Sequence, residues 1–223
     1  MNPLILAVDT THEFGSLALL RGGETVDEVL LHAPTGFGHI LYGHLARLLE
    51  ANGTDIGDVA CFAAAAGPGS FTGVRIGLAC VKGLAEALAR PVVAVSNLEA
   101  MAGLGTAPLR APVLDARRGE VYGAVYDAAR AVVSPEVVMK FPDWLATLPA
   151  GDLEFVATDF SPFLGALAGT RFAGAHVLDA PRALAAAVGA VAWRRFAAGQ
   201  ALDPAAADAN YVRRSDAELL WKE

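Results

Sequence analysis

Apolar and polar positions along this chain repeat with two different periods, and the period changes where glycine and proline interrupt it. Leu4 to Val8, Ser16 to Leu20 and Thr25 to Leu30 read as three short strands, with Gly22-Gly23 supplying the hairpin turn between the last two. From Gly38 to Ala51 the spacing becomes helical. Ile40, Leu41, Leu45 and Leu48, with Phe37 before them, fall broadly on one side, and Tyr42, Ala46 and Leu49 widen the apolar arc beyond a single core contact. Val59 to Ala65 is a continuous apolar run, as expected of a strand covered on both faces. Gly67-Pro68-Gly69 breaks it, Ser70 is placed to cap a helix, and helical spacing continues to about Arg90, where Pro91 stops it. Val92 to Val95 predicts a further strand, and a helix starts near Asn97.

The order β-β-β-α-β-α-β-α is that of an RNase H-like lobe. A loop rich in Gly, Ala and Pro, about 103–108, separates it from a second half that repeats its opening: Ala111 to Leu114 leads into Asp115, and Val121 to Tyr126 forms another strand, echoing the first strand, Asp9 and the 15–20 strand. Beyond lie a short helix at Asp143 to Leu148, a strand at Phe155 to Ala157 and an alanine-rich helix at Arg182 to Ala198. The expectation is an α/β chain of two RNase H-like lobes, residues 1–106 and 107–223, the second abbreviated.

The helix after Ser70 carries two stripes. Phe71, Val74, Leu78, Val81, Ala85 and Leu88 form a core-facing one, while Gly73, Gly77, Cys80, Leu84 and Ala87 form a second, small at its N-terminal end. Glycine inside a helix costs about 1 kcal/mol relative to alanine, so Gly73 and Gly77 point to a close backbone approach. That approach is either within the chain or across a subunit interface.

A length of 223 residues and a hydrophobic content of 54% are ample for a core. No apolar run reaches the 18 or so residues of a membrane span, and the N-terminus lacks a basic region followed by an extended hydrophobic segment, so the expected location is the cytoplasm, with no membrane partner. The net charge of −7, from 24 acidic and 17 basic residues, disfavours autonomous nucleic-acid binding. Arg117-Arg118, Arg194-Arg195 and Arg213-Arg214 read as solvated or ion-paired surface features. Cys61 and Cys80 lie in apolar contexts and read as core residues.

Candidate chemistry is sparse. Asp9-Thr10-Thr11 ends an apolar strand, where polar groups converge on a crevice in α/β sheets, or else it only organises the turn. The matching turn of the second half, Asp115-Ala116-Arg117-Arg118-Gly119, has an aspartate but no hydroxyl residue. Gly67-Pro68-Gly69-Ser70 opens a helix and could hold an anion there, but Gly73 is followed by Val74 and Arg75, not the lysine and hydroxyl of a P-loop. His32, His39 and His44 lack the i, i+4 spacing of a helical metal site, and His12 and His176 are isolated, so no metal site is expected. Ser70 lies outside any G-x-S-x-G context.

Four blocks, in order, resemble the TsaB (YeaZ) family: Leu6-Ala7-Val8-Asp9-Thr10-Thr11, Gly67 to Gly77, Asp115 to Tyr122, and Tyr211 to Glu218. The resemblance implies a two-lobed fold of the actin, sugar kinase and Hsp70 ATPase superfamily. In that superfamily the position of Asp9, Thr10 and Thr11 lies near a nucleotide's phosphates. It further implies a non-catalytic subunit, without a cofactor, that pairs with TsaD and has TsaE as another partner. Together they would transfer a threonylcarbamoyl group to adenosine 37 of tRNAs reading codons that begin with adenine. Contact with tRNA would be indirect, through the complex, and two copies would pair through the same surface when TsaD is missing. The interface would fall on the two helices above, at Phe37, Ile40, His44, Gly73, Ile76, Gly77 and Cys80 by wheel position. TsaD carries a His-x-x-x-His pair on a helix that corresponds here to Ser96-Asn97-Leu98-Glu99-Ala100-Met101-Ala102, which holds no histidine. Two other classes stand beside this one: an ATP-dependent phosphotransferase or nucleotide hydrolase of the same superfamily, and a peptidase.

Overall fold

The computed structural model describes residues 2–213. Its strands form two five-stranded sheets with the same plan. In the first, β1 (Leu4–Asp9) is central, paired antiparallel to β2 (Phe14–Arg21), which pairs with β3 (Glu24–His32); on its other side lie β4 (Val59–Ala65) and β5 (Val92–Val95), both parallel. In the second, β6 (Leu109–Arg117) is flanked by the antiparallel β7 (Glu120–Asp127) and β8 (Val132–Lys140) and by the parallel β9 (Leu153–Ala157) and β10 (Val177–Asp179). The strand orders 3-2-1-4-5 and 10-9-6-7-8 are one order read from opposite ends, so the chain is a structural duplication.

Alternation of side chains in β1 determines what covers each face of the first sheet. Leu4, Leu6 and Val8 pack under α1 (Leu41–Ala51) and α2 (Phe71–Leu88). Ile5 and Ala7 pack against Ala185, Val188, Val191 and Ala192 of α6 (Ala185–Ala197), a helix from the second half of the chain. The second sheet is covered on one face by α4 (Phe141–Thr147) and α5 (Leu164–Leu167), around Phe155, Phe141 and Trp144, and on the other by Leu98, Met101 and Ala102 of α3 (Asn97–Ala102). Thus α3 and α6 lie between the sheets, tied by Arg195, which binds Glu99 and donates to the Ala94 carbonyl at 2.9 Å. The abbreviation of the second lobe lies in its helices, since its sheet is complete; β8 and β10 are strands that the hydrophobic pattern did not bring out. Helix α1 starts at Leu41, three residues later than its pattern suggested.

The start of α6 has no capping side chain of its own. Instead, Ser16 Oγ on β2 accepts from the amides of Leu184 and Ala185 at 3.0 and 2.7 Å, and Glu28 on β3 accepts from Ala186 at 2.8 Å. Ser16 is fully buried, so nothing replaces it when it is removed. Ser16→Ala is expected to destabilise the fold by about 1–2 kcal/mol, read as a lower urea midpoint with an unchanged slope.

Candidate functional site

The end of β6 and the turns after β1, β4 and β9 meet in a cleft of about 450 Å³ between the lobes, lined among others by Thr11, His12, Asp115, Arg117, Asp159 and Arg182. Asp9 is buried beside it at 1% exposure. One carboxylate oxygen of Asp9 accepts from the Thr11 amide at 2.8 Å and from the Thr11 hydroxyl at 2.6 Å. The other is buried and has no hydrogen-bond partner among the described residues. Because the Thr11 hydroxyl gives its proton to Asp9, it can only accept from Asn97 Nδ2 at 2.8 Å and from His12 Nδ1 at 2.9 Å. That assigns the His12 proton to Nδ1. Asn97 in turn accepts from the Gly67 amide at 3.1 Å, so the start of α3 and the β4–α2 turn close on the same point.

Asp9 and Thr11 therefore organise the turn, and Asp9 keeps one oxygen uncompensated. Asp159-Phe160-Ser161, after β9, repeats the turn: Asp159 accepts from the Ser161 amide at 2.9 Å and from its hydroxyl at 2.6 Å. The turn after β6 differs, since Asp115 accepts from the Arg117 amide at 2.7 Å and has no hydroxyl neighbour. Among the described residues no group of three or more His, Cys, Asp or Glu side chains is arranged to hold a metal ion.

Burial lowers the pKa of His12 from the ordinary 6.5; Asp9 opposes the shift and Arg117 adds to it. The unfolded chain then binds a proton more readily than the folded one, so the stability present above the ordinary histidine pKa is lost as the pH falls through it toward the lowered value. Between about pH 7.5 and about pH 5.5, the urea midpoint of the wild type is expected to fall more steeply than that of His12→Gln. Equal slopes would contradict this role.

Thr10 points the other way, into α2. Its hydroxyl donates to the Gly73 carbonyl at 2.7 Å, and a β-carbon on Gly77 would lie 2.7 Å from that hydroxyl oxygen. On Gly73 a β-carbon would penetrate the Thr10 carbonyl oxygen. Both glycines therefore serve a contact inside the chain, and their smallness is accounted for without a partner. Phe37 and Cys80 are also core residues, at 2% exposure each, whereas Ile40, His44 and Ile76 are half-buried. Burial pushes the Cys80 thiol up to about 11 and that of Cys61 to about 12, so neither is a ready nucleophile. Ser70 caps α2, accepting from the Gly73 amide at 3.3 Å.

Two glycines that the wheel did not single out face outward instead. Gly43 on α1 and Gly83 on α2 are exposed, and a β-carbon on either would meet nothing within 4 Å among the described residues. Around Gly83 on the helix wheel lie Ile76, Ala79 and Ala87, the two alanines exposed; α1 adds exposed Ala46 and Tyr42, the latter at 56%. The signal was present in the sequence as a glycine among Thr72, Lys82 and Glu86 on the polar side of α2.

The C-terminal segment returns across both lobes. Lys82 donates to the Ala207 carbonyl at 2.8 Å, and the Asn210 amide donates to Ala66 at 2.7 Å. Glu136 on β8 joins this segment to both lobes: it accepts from Asn210 Nδ2 at 2.6 Å, from the Tyr126 hydroxyl at 3.0 Å and from Ser96, the cap of α3. Arg213 then pairs with Glu120 and donates to the Ala116 carbonyl at 2.8 Å. The rest of the tail block, Arg214 to Glu218, lies outside the described residues. Among the described residues no helix is long and apolar enough to cross a membrane.

Comparison with known proteins gives three findings. The family model described as TsaD: tRNA N6-adenosine threonylcarbamoyltransferase matches residues 36–218. The tRNA threonylcarbamoyladenosine biosynthesis protein TsaB of Bacillus subtilis is 35% identical over 160 residues, covering 66% of this chain and 67% of that protein; TsaB of Escherichia coli is 37% identical over 150 residues, covering 60% and 64%. The matched stretches thus span about two thirds of these relatives. The structure of YeaZ from Pseudomonas aeruginosa superposes with a TM-score of 0.80 at 28% identity, over 94% of this chain and 99% of that one. The duplicated sheet and this likeness give the two-lobed fold of the actin, sugar kinase and Hsp70 ATPase superfamily.

Proposed function

We infer the function from family and surface together: the chain belongs to the TsaB (YeaZ) family of tRNA threonylcarbamoyladenosine biosynthesis proteins, and it serves that pathway by binding a partner rather than by carrying the reacting atoms. The partner is a TsaD-type protein, held on the outer faces of α1 and α2. The observation that carries this reading is the open space above Gly43 and Gly83. Within a helix each is less favourable than alanine by about 1 kcal/mol, and among the described residues no neighbour requires either to be small. Small residues at a helix contact shorten the distance between axes, so the face suits a partner helix laid across it. In the absence of TsaD a second copy of the chain would use the same face, and TsaE would join as a further partner.

Sedimentation of an equimolar mixture with TsaD tests this, with a heterodimer expected. A second reading, nucleotide hydrolysis, is favoured by the interlobe cleft and by the unpartnered oxygen of Asp9. Steady ATP turnover by the isolated chain that disappears in Asp9→Ala would support it over the partner-binding reading.

A further inference from the structure

On the side of the molecule where the tail returns, the β6–β7 hairpin, the start of α2 and residues 210–213 enclose a groove of about 390 Å³. Phe71, Tyr122 and Tyr211 line it together with Arg117, Arg118 and Arg213. Tyr211 stacks on Phe71 with ring centroids 4.4 Å apart and its hydroxyl accepts from Arg75 Nε at 3.1 Å, so the ring is held in place while remaining 44% exposed. Arg213 is spent on Glu120 and the Ala116 carbonyl, 5.5 Å from the Tyr122 ring centre. Arg117 is different: among the described residues its side chain, 85% exposed, forms an ion pair only with Asp115, at 3.5 Å, and the side chain of Arg118 forms none.

The backbone marks the same place independently. Arg117 and Arg118 have φ of +68° and +57°, the left-handed region, in consecutive residues. Glycine or asparagine takes that conformation at lower cost, and strain of this kind concentrates where side chains are needed for binding. Two arginines are thus held at a hairpin tip in spite of the backbone, beside a fixed, exposed aromatic ring.

We propose that this groove binds a short single-stranded segment of RNA, with Tyr211 as the stacking surface for a base and Arg117 and Arg118 as partners for the adjoining phosphates. Aromatic faces interleaved with cations suit a single strand, whose bases are free to stack, and not a duplex, whose bases are already stacked. The net charge of −7 remains consistent with weak binding alone, because the acidic residues Glu120 and Asp115 offset part of the patch. Only the choice of RNA over another polyanion rests on the role in tRNA modification inferred above.

Fluorescence anisotropy with the full chain and a labelled single strand of about ten nucleotides, beside a duplex of the same length, tests the assignment. Saturable binding that weakens with salt and favours the single strand is expected. Arg117→Glu with Arg118→Glu should reduce affinity about tenfold or more, equal to about 1.4 kcal/mol, at an unchanged thermal midpoint, and Tyr211→Ala severalfold. Arg118→Gly should raise the midpoint while weakening RNA binding, a pairing of effects that a merely structural hairpin would not give. Indifference of binding to all three changes, equal binding of the duplex, or no binding at about 100 µM protein in low salt would overturn it. TsaD is absent from these mixtures, so failure here and failure of the partner reading are read separately.

Discussion

Gly73→Ala is expected to destabilise the chain by about 3 kcal/mol or more, whereas Gly83→Ala is expected to stabilise it by about 1 kcal/mol. The substitutions are chemically identical and lie ten residues apart on one helix, so propensity alone predicts the same gain for both. The difference comes from what each glycine faces. At Gly73 the new methyl would enter the carbonyl oxygen of Thr10, backbone at the end of the central strand β1, which neighbouring β2 and β4 hold in register. Relief would require α2 to lift from the sheet, breaking the Thr10–Gly73 hydrogen bond and opening the packing of Val74, Leu78 and Val81. At Gly83 the methyl enters open space. Urea unfolding of both variants checks the pair, and similar midpoints would contradict the placement of α2 on Thr10.

The second large effect concerns association. Gly83→Arg is expected to leave the fold intact, since nothing among the described residues lies within 4 Å of the new β-carbon, and to weaken pairing with TsaD by at least about a hundredfold, or about 2.7 kcal/mol. A long side chain in the middle of a small-residue face props the helices apart and costs the close packing that the face allows. Gly77→Arg cannot serve the same purpose: its side chain would start 2.7 Å from the Thr10 hydroxyl, so loss of pairing there would report loss of the fold.

The contrast between these glycines shows where sequence reasoning ends. Strands β1 to β5 were legible because alternation, the Gly22-Gly23 turn and the apolar run at Val59 are local signals, and Ser70 announced its helix by capping it. Strand β8 was not legible. Pro135 argues against a ladder position, yet β8 is an edge strand, where a missing amide is tolerated. With three residues, β10 is too short for any period to register. The helix wheel divided α2 into a core stripe and a second stripe, but Gly73, Gly77 and Cys80 of the second are buried inside the chain, and which face met a neighbouring backbone depended on Thr10, more than sixty residues earlier. The site was hidden for the same reason: Asn97 meets Thr11, and Glu136 gathers Ser96, Tyr126 and Asn210, from segments that only the duplicated sheets bring together.

The central claim is that the chain acts through a partner bound on the outer face of α1 and α2. Sedimentation velocity of the chain mixed with TsaD, in wild-type form and as Gly83→Arg with its thermal midpoint checked, tests it most directly. A heterodimer from the wild type, and two separate species from the folded variant, is the predicted result. Separate species from the wild type, or a heterodimer that Gly83→Arg leaves undisturbed, would contradict it.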